Sequence, residues 1–185
     1  MTDFEYLNTI LHSRYRENTS YLIEDKGDNL SPQIAEITHT DLISDVAVYR
    51  LDADIKGDFL PFFHNGNTAP KALRKFCDYI LLAAHRDGTL AIILVEMKRG
   101  DTEDAEEQIK ASELFVDYLL NTAERIKKAN GQPGFCKEDV AIRRVILREA
   151  HSNKRATRPK EITAEAKAGI IDYRTTRRLP LHYLL

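Results

Sequence analysis

The sequence predicts a mixed α/β fold, a central mixed β-sheet flanked by helices, in a single domain covering residues 1–185. Three observations predict it. Two apolar runs of strand length, residues 76–82 and 90–98, meet at Arg86-Asp87-Gly88 and read as a hairpin. A long amphipathic stretch follows, with Ala105, Ile109, Ser112, Val116, Leu119, Ala123 and Ile126 on one face. A run rich in β-branched residues, Val140–Leu147, comes next. Strands, a long helix and further strands suit a sheet with helices packed on it.

The elements follow in order. Residues 3–17 read as a helix, because Phe4, Leu7, Ile10, Leu11 and Tyr15 recur at helical spacing. Thr2 or Asp3 supplies its cap. Residues 42–51 read as a strand with Asp45 in a bend, and residues 52–70, with Gly57, Pro61, Gly66 and Pro70, as a long connection; long loops in compact domains are often functional. Beyond the hairpin, Asp101 is the expected N-cap of the long helix. Acids at 101, 103, 104, 106 and 107 crowd the positive end of its dipole, Lys127 and Lys128 sit at the negative end, and Asn130-Gly131 ends it. Residues 152–160 form a basic loop, and Ala168–Tyr173 and Leu179–Leu185 supply one or two last strands.

Composition narrows the function classes. Apolar residues make up 43% and charged residues 30%, the balance of a soluble globular chain. No apolar run approaches the roughly 20 residues that span a bilayer, and the acidic start, Met1-Thr2-Asp3-Phe4-Glu5, lacks a signal core. A cytoplasmic protein with no membrane partner is expected. Cys77 and Cys136 show no metal-ligand spacing, which disfavours zinc and suggests reduced thiols. The six histidines show no paired spacing, and no glycine-rich phosphate loop is present. The net charge of −2 hides an asymmetry: residues 1–66 hold 5 Lys/Arg against 12 Asp/Glu, whereas residues 139–185 hold 11 against 5. The basic end suits a polyanion partner or, equally, a solvated face.

The hairpin carries the chemistry. Asp78 opens one run, and Glu96-Met97-Lys98 closes the other. Core strands rarely hold such charges, because a buried charge is costly unless it is paired or binds a metal. Residues two apart on a strand share a face, so Glu96 and Lys98 project together. The position of Asp78 depends on the turn. A two-residue loop would set Asp78 opposite Met97, with the acids on opposite faces. A three-residue loop, with Gly88 in the left-handed region, pairs His85 with Thr89 and sets Asp78 opposite Glu96. Cross-strand Cβ atoms are then roughly 5 Å apart, close enough to share a Mg²⁺, which takes oxygen ligands. The three-residue loop is the expectation. Glu-x-Lys also occurs at Glu24-Asp25-Lys26 and Glu165-Ala166-Lys167, but neither copy follows an apolar run. The competing reading is a salt-bridged strand end in which Lys98 neutralises an acid.

Asp78, then Glu96-Met97-Lys98, then a helix carrying Gln108 resembles the PD-(D/E)XK nuclease superfamily, the restriction-endonuclease-like fold. The resemblance covers about residues 75–150 and lies in the order and spacing of short motifs; Cys77 stands where that pattern has proline. It implies a core of helix, mixed sheet and second helix, with Asp78, Glu96 and the Met97 carbonyl as ligands of Mg²⁺, Mn²⁺ being a possible substitute. It implies that Lys98 handles the attacking water and that Gln108 stands beside the metal site, where an exposed helix amide is the equal alternative. Some members add a glutamate from the first helix, for which Glu5 and Glu17 are the candidates. Arg99 could reach a phosphate, and Arg155, Arg158 and Lys160 of the basic loop are further nucleic-acid contacts. The implied activity is phosphodiester hydrolysis, with DNA as the partner, in restriction, repair or defence, by a homodimer or with a partner subunit. Two other readings stand beside it: a non-catalytic subunit that keeps the fold to bind nucleic acid or protein, and a hydrolase of small phosphate esters.

Overall fold

The computed structural model describes residues 1–24, 33–50, 76–98, 104–132, 137–149, 169–175 and 178–183. Helix α1 spans Asp3–Ile10. Thr2 caps it: its hydroxyl accepts from the Glu5 N–H at 3.2 Å, and the Glu5 carboxylate accepts from the Thr2 N–H at 2.7 Å, a reciprocal capping box. The helix does not run to residue 17. Leu11 is extended (φ −73°, ψ 130°), and a single 3₁₀ turn, Ser13–Tyr15, leads into a two-residue strand β1, Arg16–Glu17. Phe4, Leu7, Ile10, Leu11 and Tyr15 nevertheless pack in one core. The helical spacing therefore came from residues that share a core across a broken backbone.

Strands β2 (Tyr21–Glu24) and β3 (Gln33–Thr38) form an antiparallel pair. Strand β4 is Ile43–Arg50. Its register against the next strand slips between Ile43 and Asp45, a bulge at the bend expected there. The hairpin follows as β5 (Tyr79–His85) and β6 (Leu90–Lys98). Helix α2 runs Ala105–Ala129, and β7 is Val140–Glu149. Strands β8 (Ile170–Thr175) and β9 (Arg178–Pro180) come last. The long connection at 52–70 and the basic loop at 152–160 lie outside the described residues, as does Cys136.

A six-stranded mixed sheet has the order β1-β4-β5-β6-β7-β8. Strands β1, β4, β5 and β6 run antiparallel to their neighbours, whereas β6, β7 and β8 are parallel. A smaller sheet, β2-β3-β9, joins the two ends of the chain through a parallel β3–β9 pair. Both helices lie on one face of the large sheet, against Ile80, Leu82, Ile92 and Leu94. The small sheet covers the other face through Leu22, Ala35, Ile37 and Leu179, against Leu81, Ile93, Val95 and Met97. Helices thus flank one side of the sheet, and a second sheet takes the other. No described helix is long and apolar enough to cross a membrane.

β6 is the centre of the molecule, with Ile92, Ile93, Leu94, Val95 and Met97 all 0% exposed. Each such burial stabilises the fold by about 1.5–3 kcal/mol, and both faces of the strand are used. A glutamate in this strand stands out against that background.

Candidate active site

The hairpin turn sets the register of the site. The His85 N–H donates to the Thr89 carbonyl at 2.9 Å, and the Gly88 N–H donates to the His85 carbonyl at 3.0 Å. Gly88 has φ +90°, a conformation that favours glycine. Asp87 braces the turn, accepting from the N–H and hydroxyl of Thr89 at 2.9 and 2.7 Å; these bonds hold its carboxyl below the usual range. The loop has three residues, and pairing runs from Ala84↔Leu90 to Tyr79↔Val95. The pairing ends there, one residue short of Asp78.

Asp78 does not continue the strand. A bend there directs its carboxylate onto the Met97 N–H, with Oδ2 at 2.6 Å. The bend also turns Cys77 into the helix-side core. Helix α2 holds this segment with two side chains one turn apart. The Gln108 amide donates to the Phe76 carbonyl at 3.3 Å, and the Ser112 hydroxyl accepts from the Cys77 N–H at 2.7 Å. That hydroxyl donates in turn to the Gln108 carbonyl at 2.9 Å. Ser112 was legible only as part of the buried stripe; a hydroxyl on an apolar face was the one signal that it had a polar partner.

Glu96 is 1% exposed and lies on the helix side of β6, in phase with Ile92 and Leu94. Lys98 shares that face, its Nζ 2.5 Å from Glu96 Oε1 and 3.0 Å from Gln108 Oε1. One ammonium thus ties the strand end to the helix. Burial pushes the Cys77 thiol up to about 12, the Ser112 bond opposes the shift, and the charges of Glu96 and Asp78 add to it. The thiol is therefore no nucleophile at neutral pH, and its shift records two carboxylates close at hand.

The structure therefore gathers Asp78, Glu96, Met97, Lys98 and Gln108 at one end of the hairpin. Gln108 is half-buried within this network rather than an exposed helix amide. Glu5 does not join: it is committed to the cap of α1. Glu17 lies outside the first helix and pairs with Val48, whose side chain faces the small sheet. Paired residues share a face, so Glu17 sits across the sheet from Glu96. Asp104 precedes α2 in helical backbone geometry and makes no side-chain cap bond; Asp101, the expected cap, lies outside the described residues. Ile126 is only partly buried, while its neighbour Lys127 is buried at 6% exposure. Arg99, Arg155, Arg158 and Lys160 lie outside the described residues.

Among the described residues, no group of three or more His, Cys, Asp or Glu side chains could hold a metal ion. The donor set at the hairpin end is two carboxylates and a backbone carbonyl, all oxygen. That chemistry fits Mg²⁺, which commonly binds one or two carboxylates and keeps several waters. The Met97 N–H occupies one of about four acceptor positions on Asp78. No family model matches this chain, and neither a curated protein nor a solved structure matches it.

Proposed function

We propose that the chain is a Mg²⁺-dependent nuclease that hydrolyses phosphodiester bonds in DNA. The carrying observation is Glu96, a carboxylate at 1% exposure in the central strand and 2.5 Å from Lys98, next to Met97, whose N–H donates to the Asp78 carboxylate. An element order of helix, antiparallel strands, long helix and parallel strand supports the resemblance on which this reading rests.

Asp78, Glu96 and the Met97 carbonyl would hold the ion. When bound, it supplies Lewis-acid activation of the phosphate and of a water. The chain's own residues do the rest. The Met97 N–H fixes the Asp78 carboxylate. Lys98 is held between Glu96 and Gln108 at the strand end, where its ammonium can orient the attacking water and steady charge on the phosphate. Gln108 and Ser112 hold the Phe76–Asp78 segment against α2 and so set the separation of the two acids. A location in the cytoplasm and assembly as a homodimer or with a partner subunit belong to the same proposal.

Incubation of the protein with supercoiled plasmid, linear duplex and RNA, with Mg²⁺, Mn²⁺ or EDTA, tests it. Metal-dependent nicking or cutting of DNA, lost in Glu96→Ala and Lys98→Ala, is the expected result. Equal cleavage by wild type and both variants would defeat the assignment. Binding without cleavage would favour the second reading, a non-catalytic subunit in which Lys98 simply neutralises Glu96.

A further inference from the structure

Helix α2 carries a second stripe, on the side away from the sheet. Its buried stripe, Ala105, Ile109, Ser112, Val116, Leu119 and Ala123, faces the core. Half a turn round, residues 107, 111, 114, 118, 121 and 125 recur at alternating steps of four and three, the seam spacing of paired helices. These positions hold Glu, Ala, Leu, Tyr, Asn and Arg. All are exposed except the half-buried Ala111, with Leu114 at 74% and Tyr118 at 64%. Apolar residues scattered singly over a surface are ordinary. Leu114 and Tyr118 are instead one turn apart on one helix face, next to Ala111.

The stripe changes sign from end to end, with Glu107 towards the amino end of α2 and Arg125 towards the carboxyl end. Charges beside it are matched within the chain: Lys110 lies 3.9 Å from Glu106, and Lys137 lies 3.5 Å from Asp117. Among the described residues, Glu107 and Arg125 form no such pair. A second copy of α2, laid antiparallel and centred at the level of Val116, meets this stripe position by position. Leu114 of each copy then faces Tyr118 of the other, Ala111 faces Asn121, and Glu107 faces Arg125. A twofold axis repeats each contact, so the apolar contacts sit at the centre and an ion pair closes each end, about 27 Å apart along the helix. A parallel pair would set Glu107 against Glu107 and Arg125 against Arg125, and it would align the two helix dipoles unfavourably.

We propose that the exposed stripe of α2 is a homodimer face, on which a second copy of this chain docks its own α2 in antiparallel order. Burial of Leu114 and Tyr118 drives the pairing, and the charged ends fix its direction and register. The helix thus holds the acid-bearing segment through Gln108 and Ser112 on its inner side and a second copy on its outer side. The pairing gives the proposed homodimer a surface, and it stands on this helix face rather than on the hairpin acids.

Sedimentation velocity of the full chain over a wide range of concentrations tests it. The wild type should pass from monomer to dimer as concentration rises. Leu114→Glu should stay monomeric where the wild type is dimeric, with an unchanged urea midpoint at dilutions where both are monomers, since the side chain is exposed there. Glu107→Lys and Arg125→Glu should each weaken the dimer about tenfold or more, because each sets like charges together at both ends. An equimolar mixture of these two variants should dimerise as the wild type does, each copy offering the charge the other lacks. The double variant Glu107→Lys with Arg125→Glu should also pair with itself. A wild type that stays monomeric throughout would overturn the proposal and leave the stripe to a different protein. A dimer indifferent to Leu114→Glu would overturn it too, by placing association elsewhere. Monomeric single variants that fail to pair when mixed would overturn the antiparallel register. Plasmid cleavage by wild type and Glu96→Ala, read on separate samples, lets the nuclease and the dimer fail independently.

Discussion

Two lysine–carboxylate pairs sit at opposite ends of helix α2, each with a 2.5 Å contact, and they are built in opposite ways. In the Lys127–Asp3 pair the lysine is the buried member, 8% exposed against 41% for the acid. Its ammonium also lies 4.8 Å above the Tyr6 ring, a cation–π contact. This pair latches the first turn of α1 to the last turns of α2. In the Lys98–Glu96 pair the acid is buried at 1%, and the lysine reaches outward at 17%. A buried carboxylate is harder to sustain than a wet one, and here a second carboxylate lies beside it. The first pair joins two helices; the second stands at a strand end where the Met97 N–H also holds the Asp78 carboxylate. Distance alone does not separate a strut from a reactive centre. The member that is desolvated, and the company it keeps, does.

Neutralising each lysine exposes the difference. Lys98→Met leaves Glu96 desolvated without its partner and should cost about 3–5 kcal/mol. Lys127→Met leaves Asp3 free to face water and should cost only about 1 kcal/mol. Urea titrations of both variants measure this, and equal losses would erase the contrast.

Ser112→Ala tests the link between α2 and the acid-bearing segment. It strands the buried Cys77 N–H, at an expected cost of about 1–3 kcal/mol. Turnover should also fall in the folded fraction, because Asp78 follows directly in the chain. A stability loss with unchanged turnover would make Ser112 a core strut alone.

The Cys77 thiol gives a pH signature of the same neighbourhood. Its pKa is raised from 9.0 to about 12 in the folded chain, so the unfolded chain ionises first. Between those values the unfolded state binds fewer protons, and stability falls as pH rises, by at most about 1.4 kcal/mol per pH unit. Tyr49, also raised by burial, adds the same sign at higher pH. Denaturation of wild type and Cys77→Ala from pH 8 upward, across roughly two units, should show a flatter curve for the variant. Parallel curves would mean that the thiol ionises freely in the folded state.

Much of the site was legible because its determinants are local. Gly88 three residues from His85 specifies a three-residue loop, and that loop sets every pairing down to Tyr79↔Val95. The stripe of α2 and its end at Gly131, with φ +62°, are likewise written within a few turns of chain. What was not legible depends on distant partners. Strands β1, β2 and β3 are short, and β3 is completed by β9 from the far end of the chain. Lys127 looked like a dipole-capping charge; its burial depends on Asp3 and Tyr6, over a hundred residues away. The bond from the Cys77 N–H to Ser112 spans 35 positions, and no local pattern announces it.

The central claim is that the Glu96 carboxylate is chemical and the Asp3 carboxylate structural. Glu96→Gln and Asp3→Asn each remove one negative charge and keep the side-chain shape. Mg²⁺-dependent relaxation of supercoiled plasmid, with both variants checked as folded by circular dichroism, compares them directly. Glu96→Gln should lose more than about 100-fold, beyond what loss of an outer-shell partner usually costs, while Asp3→Asn should cut at the wild-type rate. Cleavage by Glu96→Gln at the wild-type rate would contradict the claim.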